Sequence, residues 1–442
     1  MNRSPLRLAA PALVPALVAV VLAALVSVTP AAAAPRHDTS QPYRSLDVLA
    51  EVLAYIQNSY VEELKEKDLV QAAVEGMVSR LDPHSMILRP EVYRAMRDET
   101  SGEFDGVGLE VTQTGDEIIV VAPLADSPAE RAGILSGDRI VAIDGAATKE
   151  MPIGEATRRM KGTAGSKVVV SIARPGMREP QTFTLVRDHV RTTSVDWRVI
   201  DKAAGTVYVR VRVFQDRSDR ELRQALDGAR KELGGPIQGL VLDLRNNPGG
   251  LLDQAVKIAD RFLSKGVIVS TESRGKAPEV EEAHEKDTEP AYPVVLLVNR
   301  GSASASEIVA GALQDHGRAV VVGAQTFGKG SVQTVVELED GSALKLTVAK
   351  YYTPSHRSIQ ERGITPDVGV ADAPPPAPTD GEWPSEKDLK RHLVNEQGTA
   401  PARPPQMGRT EAAKRPDPQF DRAVDLLKAA KVFRGGTSSV NP

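Results

Sequence analysis

The stretch Asn299–Gln333, NRGSASASEIVAGALQDHGRAVVVGAQTFGKGSVQ, gathers residues whose types and spacing suit nucleophilic chemistry. Ser302, Ser304 and Ser306 sit in a small-residue turn after an apolar run, Pro293–Asn299, and just before a helical run from Glu307 to about His316. A second apolar run, Ala319–Gly323, leads into Phe327-Gly328-Lys329-Gly330, and Gln333 stands four residues past the lysine. A serine hydroxyl is a weak nucleophile and needs a base, and lysine serves if burial keeps its amine neutral. A serine at a helix N-terminus also sits beside unpaired N–H groups able to stabilise an oxyanion. Glycines on either side of Lys329 permit close approach of backbone or ligand. Gln333, at i+4, falls on the lysine's face in a helix or a strand, where its amide carbonyl can orient a neutral amine.

Two other readings compete for the same residues. Gly323-x-x-x-x-Gly328-Lys329 is a near-match to a phosphate-binding loop. The residue after the lysine is Gly330 where Ser or Thr is needed for the metal, and SVQTVVELED reads as a strand rather than a helix, so the nucleotide reading fails on both counts. The serines are also ordinary helix caps by type, and the residues alone leave caps and nucleophile both open.

Four stretches settle the family resemblance. VNRGSASASEIVAGALQD, TFGKGSVQ, VLDLRNNPGGLL and LTVAKYYTPSHRSIQERGITPDV resemble the carboxyl-terminal processing peptidases, S41-family serine proteases with a PDZ domain. The resemblance covers nearly all of the chain after about the first forty residues. It implies Ser304 as nucleophile, Lys329 as base and Gln333 as the lysine's support. It also implies an oxyanion hole from the N–H groups of Gly250 and Ala305, with Gly249 a close alternative to Gly250. The implied chemistry needs no metal or organic cofactor.

The elements that must position these residues follow in chain order. Residues 1–34 read as a secretory signal: Arg3 and Arg7, then apolar Leu8–Val28, then Ala32-x-Ala34. The apolar run is long, so an uncleaved inner-membrane anchor is the alternative, and either way the body is exported to the periplasm or cell envelope. Residues 35–101 read as a helical arm, with Leu46, Leu49, Val52, Leu53 and Ile56 at helical spacing. LDPHS interrupts the pattern, and His84 there reads as a turn residue. The resemblance implies that terminal helices assemble a homo-oligomer.

Residues 102–188 resemble a PDZ domain, with Gly106-Val107-Gly108-Leu109 as the loop whose amides receive a C-terminal carboxylate. Arg131, Arg158, Arg159 and Lys161 are candidate carboxylate sensors or simply solvated charges. Residues 189–371 read as the catalytic domain: apolar strands GTVYVRV, GLVLDLR, PVVLLVN and AVVVGA alternate with helical runs, an α/β layer with a largely parallel sheet. The resemblance makes that core crotonase/Clp-protease-like, with the PDZ domain inserted and helical arms at both ends. Residues 372–442 read as Pro-rich linkers around a short docking segment, SEKDLKRHLVNE, followed by an amphipathic helix in FDRAVDLLKAAKVF.

Composition excludes several alternatives. The chain has 442 residues, a formal net charge of −4 and no cysteine. Disulfides, thiolate catalysis, cysteine metal sites and a lipidated cysteine are therefore out, and nothing attracts nucleic acid in general. No HExxH, GxSxG or GDSGG-type stretch occurs, which removes zinc proteases, α/β-hydrolases and chymotrypsin-like PDZ proteases. His316, at the far end of the helix, reads as a helix-terminal residue, and Asp243 as structural. His356, in TPSHRSIQ, stands where glycine is usual in the family. The expected function is an exported serine endopeptidase with a Ser-Lys dyad. It cleaves protein substrates near their C-termini after the PDZ domain receives an apolar tail, in some relatives with a lipoprotein adaptor. The competing class is an inactive PDZ scaffold on a protease-like fold.

Overall fold

The computed structural model describes residues 44–174, 176–371, 384–398 and 417–436. The expected leader and the Pro-rich linkers lie outside them. Two units are distinguished, Met1–Val70 and Gln71–Pro442. In the first, helix Arg44–Ser59 leaves Leu46, Leu49, Val52 and Tyr55 exposed. Among the described residues no helix is long and apolar enough to cross a membrane.

A six-stranded sheet forms the centre of the second unit. Val195–Asp201 pairs antiparallel with Thr206–Val211, which is followed in parallel by Gly239–Asp243, Val294–Val298, Val320–Gly323 and Val368–Gly369. Helices cover both faces, so the inner strands read as continuous apolar runs rather than as alternations. Side chains still alternate by face. Leu240, Leu242, Leu296 and Val298 pack with helices Ser218–Leu233, Leu252–Asp260 and Ala305–Asp315. Val241, Val295, Leu297 and Val322 face the other way, onto Ala423 and Leu427 of the C-terminal helix Pro418–Gly436.

Helix Ala305–Asp315 has defined ends. Ser304 caps it and Glu307 reaches back to the Ser304 N–H at 2.7 Å. At the other end Gly317 takes φ +60°, its N–H bonds the Gln314 carbonyl, and the Arg318 N–H bonds that of Leu313, a Schellman stop. Ile308, Val309 and Leu313 are buried along it, each worth roughly 1.5–3 kcal/mol. That burial fixes the helix start against the sheet.

A second, antiparallel sheet carries the rest of the candidate site. Ala343–Tyr352 pairs with Ser331–Glu337, Val267–Ser273 and Met86–Leu88. The expected strand after Lys329 is therefore present, with a bulge between Val332 and Gln333. The strand Val195–Asp201 was not expected from the sequence.

The residues matching the PDZ reading form their own antiparallel sheet, Leu109–Thr114, Glu117–Pro123, Arg139–Ile143, Lys167–Ala173 and Gln181–Val186, with helix Ile153–Met160. Ile118, Ile140, Ile143, Val168, Val170 and Leu185 give it a separate core. Glu103–Gly106 and Asp188–Arg191 pair with each other where the chain enters and leaves it.

Candidate active site

The three serines of the turn have different environments. Ser302 is fully buried; its hydroxyl donates to the Leu244 carbonyl at 2.7 Å and accepts from the Asn299 N–H at 3.0 Å. Ser306, also fully buried, donates to the Asn247 carbonyl at 2.9 Å. Ser304 is half-buried, and its hydroxyl lies 3.1 Å from that of Tyr351. Its backbone has φ +57° and ψ −115°, a sharp strand-to-helix turn that side chains rarely adopt. Such a turn lifts a hydroxyl out of the sheet edge. Ser302 and Ser306 thus fasten the turn to the strand-to-helix loop after Asp243, and Ser304 alone is available for chemistry.

That neighbouring loop supplies the second wall. Asn247 Oδ1 accepts the Gly249 N–H at 2.9 Å, while the Phe214 backbone bonds the Gly249 carbonyl and the Leu251 N–H, both at 2.9 Å. The Gly250 N–H is left without an acceptor among the described residues. So is the N–H of Ala305, the first residue of its helix. A Cβ on Gly249 would stand 2.8 Å from the Ser304 Cβ, and one on Gly250 2.1 Å from the Phe214 carbonyl oxygen. Two open donors therefore lie beside Ser304, and Gly249 is not one of them.

The lysine loop is held by a residue the sequence reading passed over. Glu307 is fully buried, and its carboxylate accepts the N–H groups of Ser304 (2.7 Å), Gly328 (2.7 Å) and Lys329 (3.0 Å) and the Thr326 hydroxyl (2.5 Å). Burial pushes its carboxyl up to about 7, against those four bonds. The signal was present: Ser304-x-x-Glu307 is the capping-box pattern.

Burial lowers the Lys329 amine to about 8, with Lys345 acting in the same direction and Glu386, Glu307 and Asp82 opposing it. In this structure the Lys329 amine makes no hydrogen bond to Ser304 or to Gln333. The Gln333 amide nitrogen donates to Ser331 Oγ at 3.0 Å and Thr347 Oγ1 at 3.3 Å, leaving its oxygen as an open acceptor among the described residues. Tyr351, buried, also bonds the Lys329 carbonyl, and burial raises its phenol further above the usual range. The glycines around Lys329 have a structural cause. A Cβ on Gly330 would stand 2.4 Å from the Gln360 nitrogen and one on Gly328 2.9 Å from the Glu361 carbonyl carbon. The close neighbour is this chain's own backbone.

The other singled-out residues are placed as follows. His316 is the helix C-cap, its Nε2 2.7 Å from the Val267 carbonyl. Asp243 accepts from the Tyr208 hydroxyl at 2.8 Å and pairs with Arg245, which also pairs with Asp417. His356 takes φ +58°, a conformation that favours glycine, and stacks on Tyr352. His84 is in a turn and pairs with Glu386 at 2.8 Å.

In the PDZ region Gly108 has φ +75°, and a Cβ there would lie 2.2 Å from that of Ser127. The Val107 and Gly108 N–H groups find no acceptor among the described residues; Gly106 and Leu109 lie at the flanking strand ends. Arg131 pairs with Asp188, Arg158 and Arg159 with Glu155, and Lys161 with Asp98.

Comparison with known proteins agrees with this architecture. Residues 205–370 match the peptidase family S41, residues 119–174 the PDZ domain and residues 26–91 the activating protease CtpB N-terminal domain. A carboxy-terminal-processing protease of Bartonella bacilliformis is 40% identical over 404 residues, 90% of each chain. A carboxyl-terminal-processing protease of Synechocystis sp. is 41% identical over 322 residues, 71% of this chain and 74% of its own. Among solved structures, a photosystem II D1 C-terminal processing protease aligns at 34% identity with a TM-score of 0.45, over 75% of this chain and 87% of that one.

Fold and comparisons together define a serine-type peptidase carrying a PDZ domain, acting on protein substrates. The chain belongs to the carboxyl-terminal processing proteases of peptidase family S41.

Proposed function

We propose that Ser304 is the nucleophile and Lys329 its general base in an exported endopeptidase that cuts protein substrates near their C-termini. The observation that carries this reading is the arrangement around Ser304. It is the one serine of the turn not spent on a backbone carbonyl, it stands beside the open N–H groups of Gly250 and Ala305, and burial depresses the Lys329 amine to about 8. Neutral Lys329 takes the Ser304 proton during attack, the tetrahedral intermediate rests its oxyanion on the two N–H groups, and the lysine gives the proton to the leaving amine as the acyl-enzyme forms, which water then hydrolyses. In the aligned dyad Gln333 would orient the amine through its open carbonyl oxygen.

The test is cleavage of an unstructured protein with an apolar C-terminus by residues 35–442, compared with Ser304→Ala and Lys329→Ala. Cleavage by the unsubstituted chain alone supports the dyad, and cleavage by Ser304→Ala refutes it. If none cleaves, a pull-down with Ser304→Ala distinguishes an enzyme awaiting an activator, such as a lipoprotein adaptor, from an inactive PDZ scaffold.

The absence of a Ser304–Lys329 hydrogen bond fits a resting arrangement. An apolar tail whose carboxylate binds the Gly106–Leu109 loop would shift the population toward an aligned dyad. Deleting residues 102–188 without changing rate or substrate choice would rule this out. The exposed apolar residues of helix Arg44–Ser59 fit self-association, which sedimentation of Leu49→Glu would disprove by leaving the mass unchanged. Export through residues 1–34 to the periplasm or envelope is checked by fractionation and N-terminal sequencing of the mature chain.

A further inference from the structure

Lys329 is gripped from two sides. On one side Glu307 accepts the N–H groups of residues 328 and 329. On the other, the described segment 384–398, which follows the region matching the peptidase family, meets the same loop. The Glu386 N–H donates to the Phe327 carbonyl at 3.1 Å. The Gly330 N–H donates to Gln360 Oε1 at 3.0 Å, and Gln360 Nε2 donates to Glu386 Oε1 at 2.9 Å. The circuit Phe327–Glu386–Gln360–Gly330 therefore closes around the lysine. Glu386 and Gln360 are both fully buried. His84 Nε2 completes the carboxylate's shell at 2.8–2.9 Å, and Asn395 Nδ2 and the Leu393 carbonyl hold Gln360.

We propose that Glu386, anchored by His84 and Gln360, is a positioning residue that holds Lys329 and sets its proton affinity, which makes segment 384–398 a working part of the catalytic apparatus. The proposal rests on Lys329 being the base. Burying the carboxylate is unfavourable unless partners compensate, and here His84 and Gln360 do so while placing it against the lysine's loop. Its negative charge favours the protonated amine, in opposition to burial and to Lys345. The other charged groups facing Lys329 are Glu307 from the serine helix and Asp82 from the turn before His84. Those influencing or touching Glu386 are His84, His392 and Tyr351.

The experiment follows the Lys329 amine by NMR in the full chain carrying labelled lysine, assigned by loss of the signal in Lys329→Arg, alongside the pH profile of kcat/KM. Glu386→Gln, nearly isosteric, is expected to lower the midpoint by about half a pH unit or more. The rising limb of kcat/KM moves by the same amount and its plateau falls several-fold. His84→Lys, which fixes a cation on the carboxylate, is the second variant in case the first does not fold, and it too lowers the midpoint. Unchanged titration in the folded variants overturns the proposal. A wild-type profile with no limb at the Lys329 midpoint refutes the lysine base instead, while the titration still decides the role of Glu386.

Discussion

One oxygen of Glu307 receives the Ser304 N–H at 2.7 Å. The same oxygen receives the Lys329 N–H at 3.0 Å. The turn bearing Ser304 and the loop bearing Lys329 therefore share a single acceptor inside the core. Removing it leaves several buried donors unpaired at about 1–3 kcal/mol each. Glu307→Ala is expected to lose at least about 3 kcal/mol of stability in urea unfolding, and cleavage should fall a hundredfold or more, as expected when machinery shifts by about an ångström. Near-normal turnover would show that the shared acceptor is dispensable.

Lys329 predicts a rising pH–rate profile. If Lys329 is the base it acts when neutral, so kcat/KM should climb through about pH 8. A profile flat from neutral to alkaline pH would count against it.

The same amine predicts a cost in stability. Its folded value, about 8, lies below the ordinary lysine value of 10.5. Below pH 8 both folded and unfolded chains carry the proton, and the folded state bears the full penalty of a buried cation. Between the two values only the unfolded chain holds the proton, so stability rises with pH. Lys329→Met should therefore be inactive yet more stable by up to about 3 kcal/mol at neutral pH, with the gain shrinking toward pH 10.5. Denaturation of both proteins across this range measures it, and a destabilised methionine variant would contradict it.

Gly250→Ala should abolish cleavage and cost about 3 kcal/mol or more, because its Cβ would lie 2.1 Å from the Phe214 carbonyl oxygen, which is held by the Leu251 N–H, and φ is +136°. Gly234→Ala, at φ +69° with nothing nearby, is the control at about 1 kcal/mol. Equal losses at the two positions would remove the case for a special role at Gly250.

Gly108→Ala should eliminate binding of a peptide with an apolar C-terminus, measured by calorimetry, while leaving the catalytic core folded. The added carbon would overlap the Ser127 side chain at 2.2 Å. Undiminished binding would move the carboxylate site elsewhere.

The central sheet was legible because its strands are buried on both faces and read as unbroken apolar runs between helical patterns. Ser304 was less so. Ser302, Ser304 and Ser306 are alike by type, and only the carbonyls of Leu244 and Asn247, brought from another loop, separate them. Glu307 announced itself through its spacing from Ser304, but that spacing marks any capped helix. Glu386 gave no local signal at all, since its partner His84 is 302 residues away.

The helix Pro418–Gly436 packs on one face of the central sheet, and Glu386 reaches the lysine's loop from only slightly earlier in the chain. Both come after every strand of the central sheet in chain order. Until residues past Leu427 have emerged, the sheet has an uncovered apolar face. The order of synthesis therefore acts as a timer, because the sheet's cover and the lysine's second grip are made after the sheet strands and Lys329 themselves.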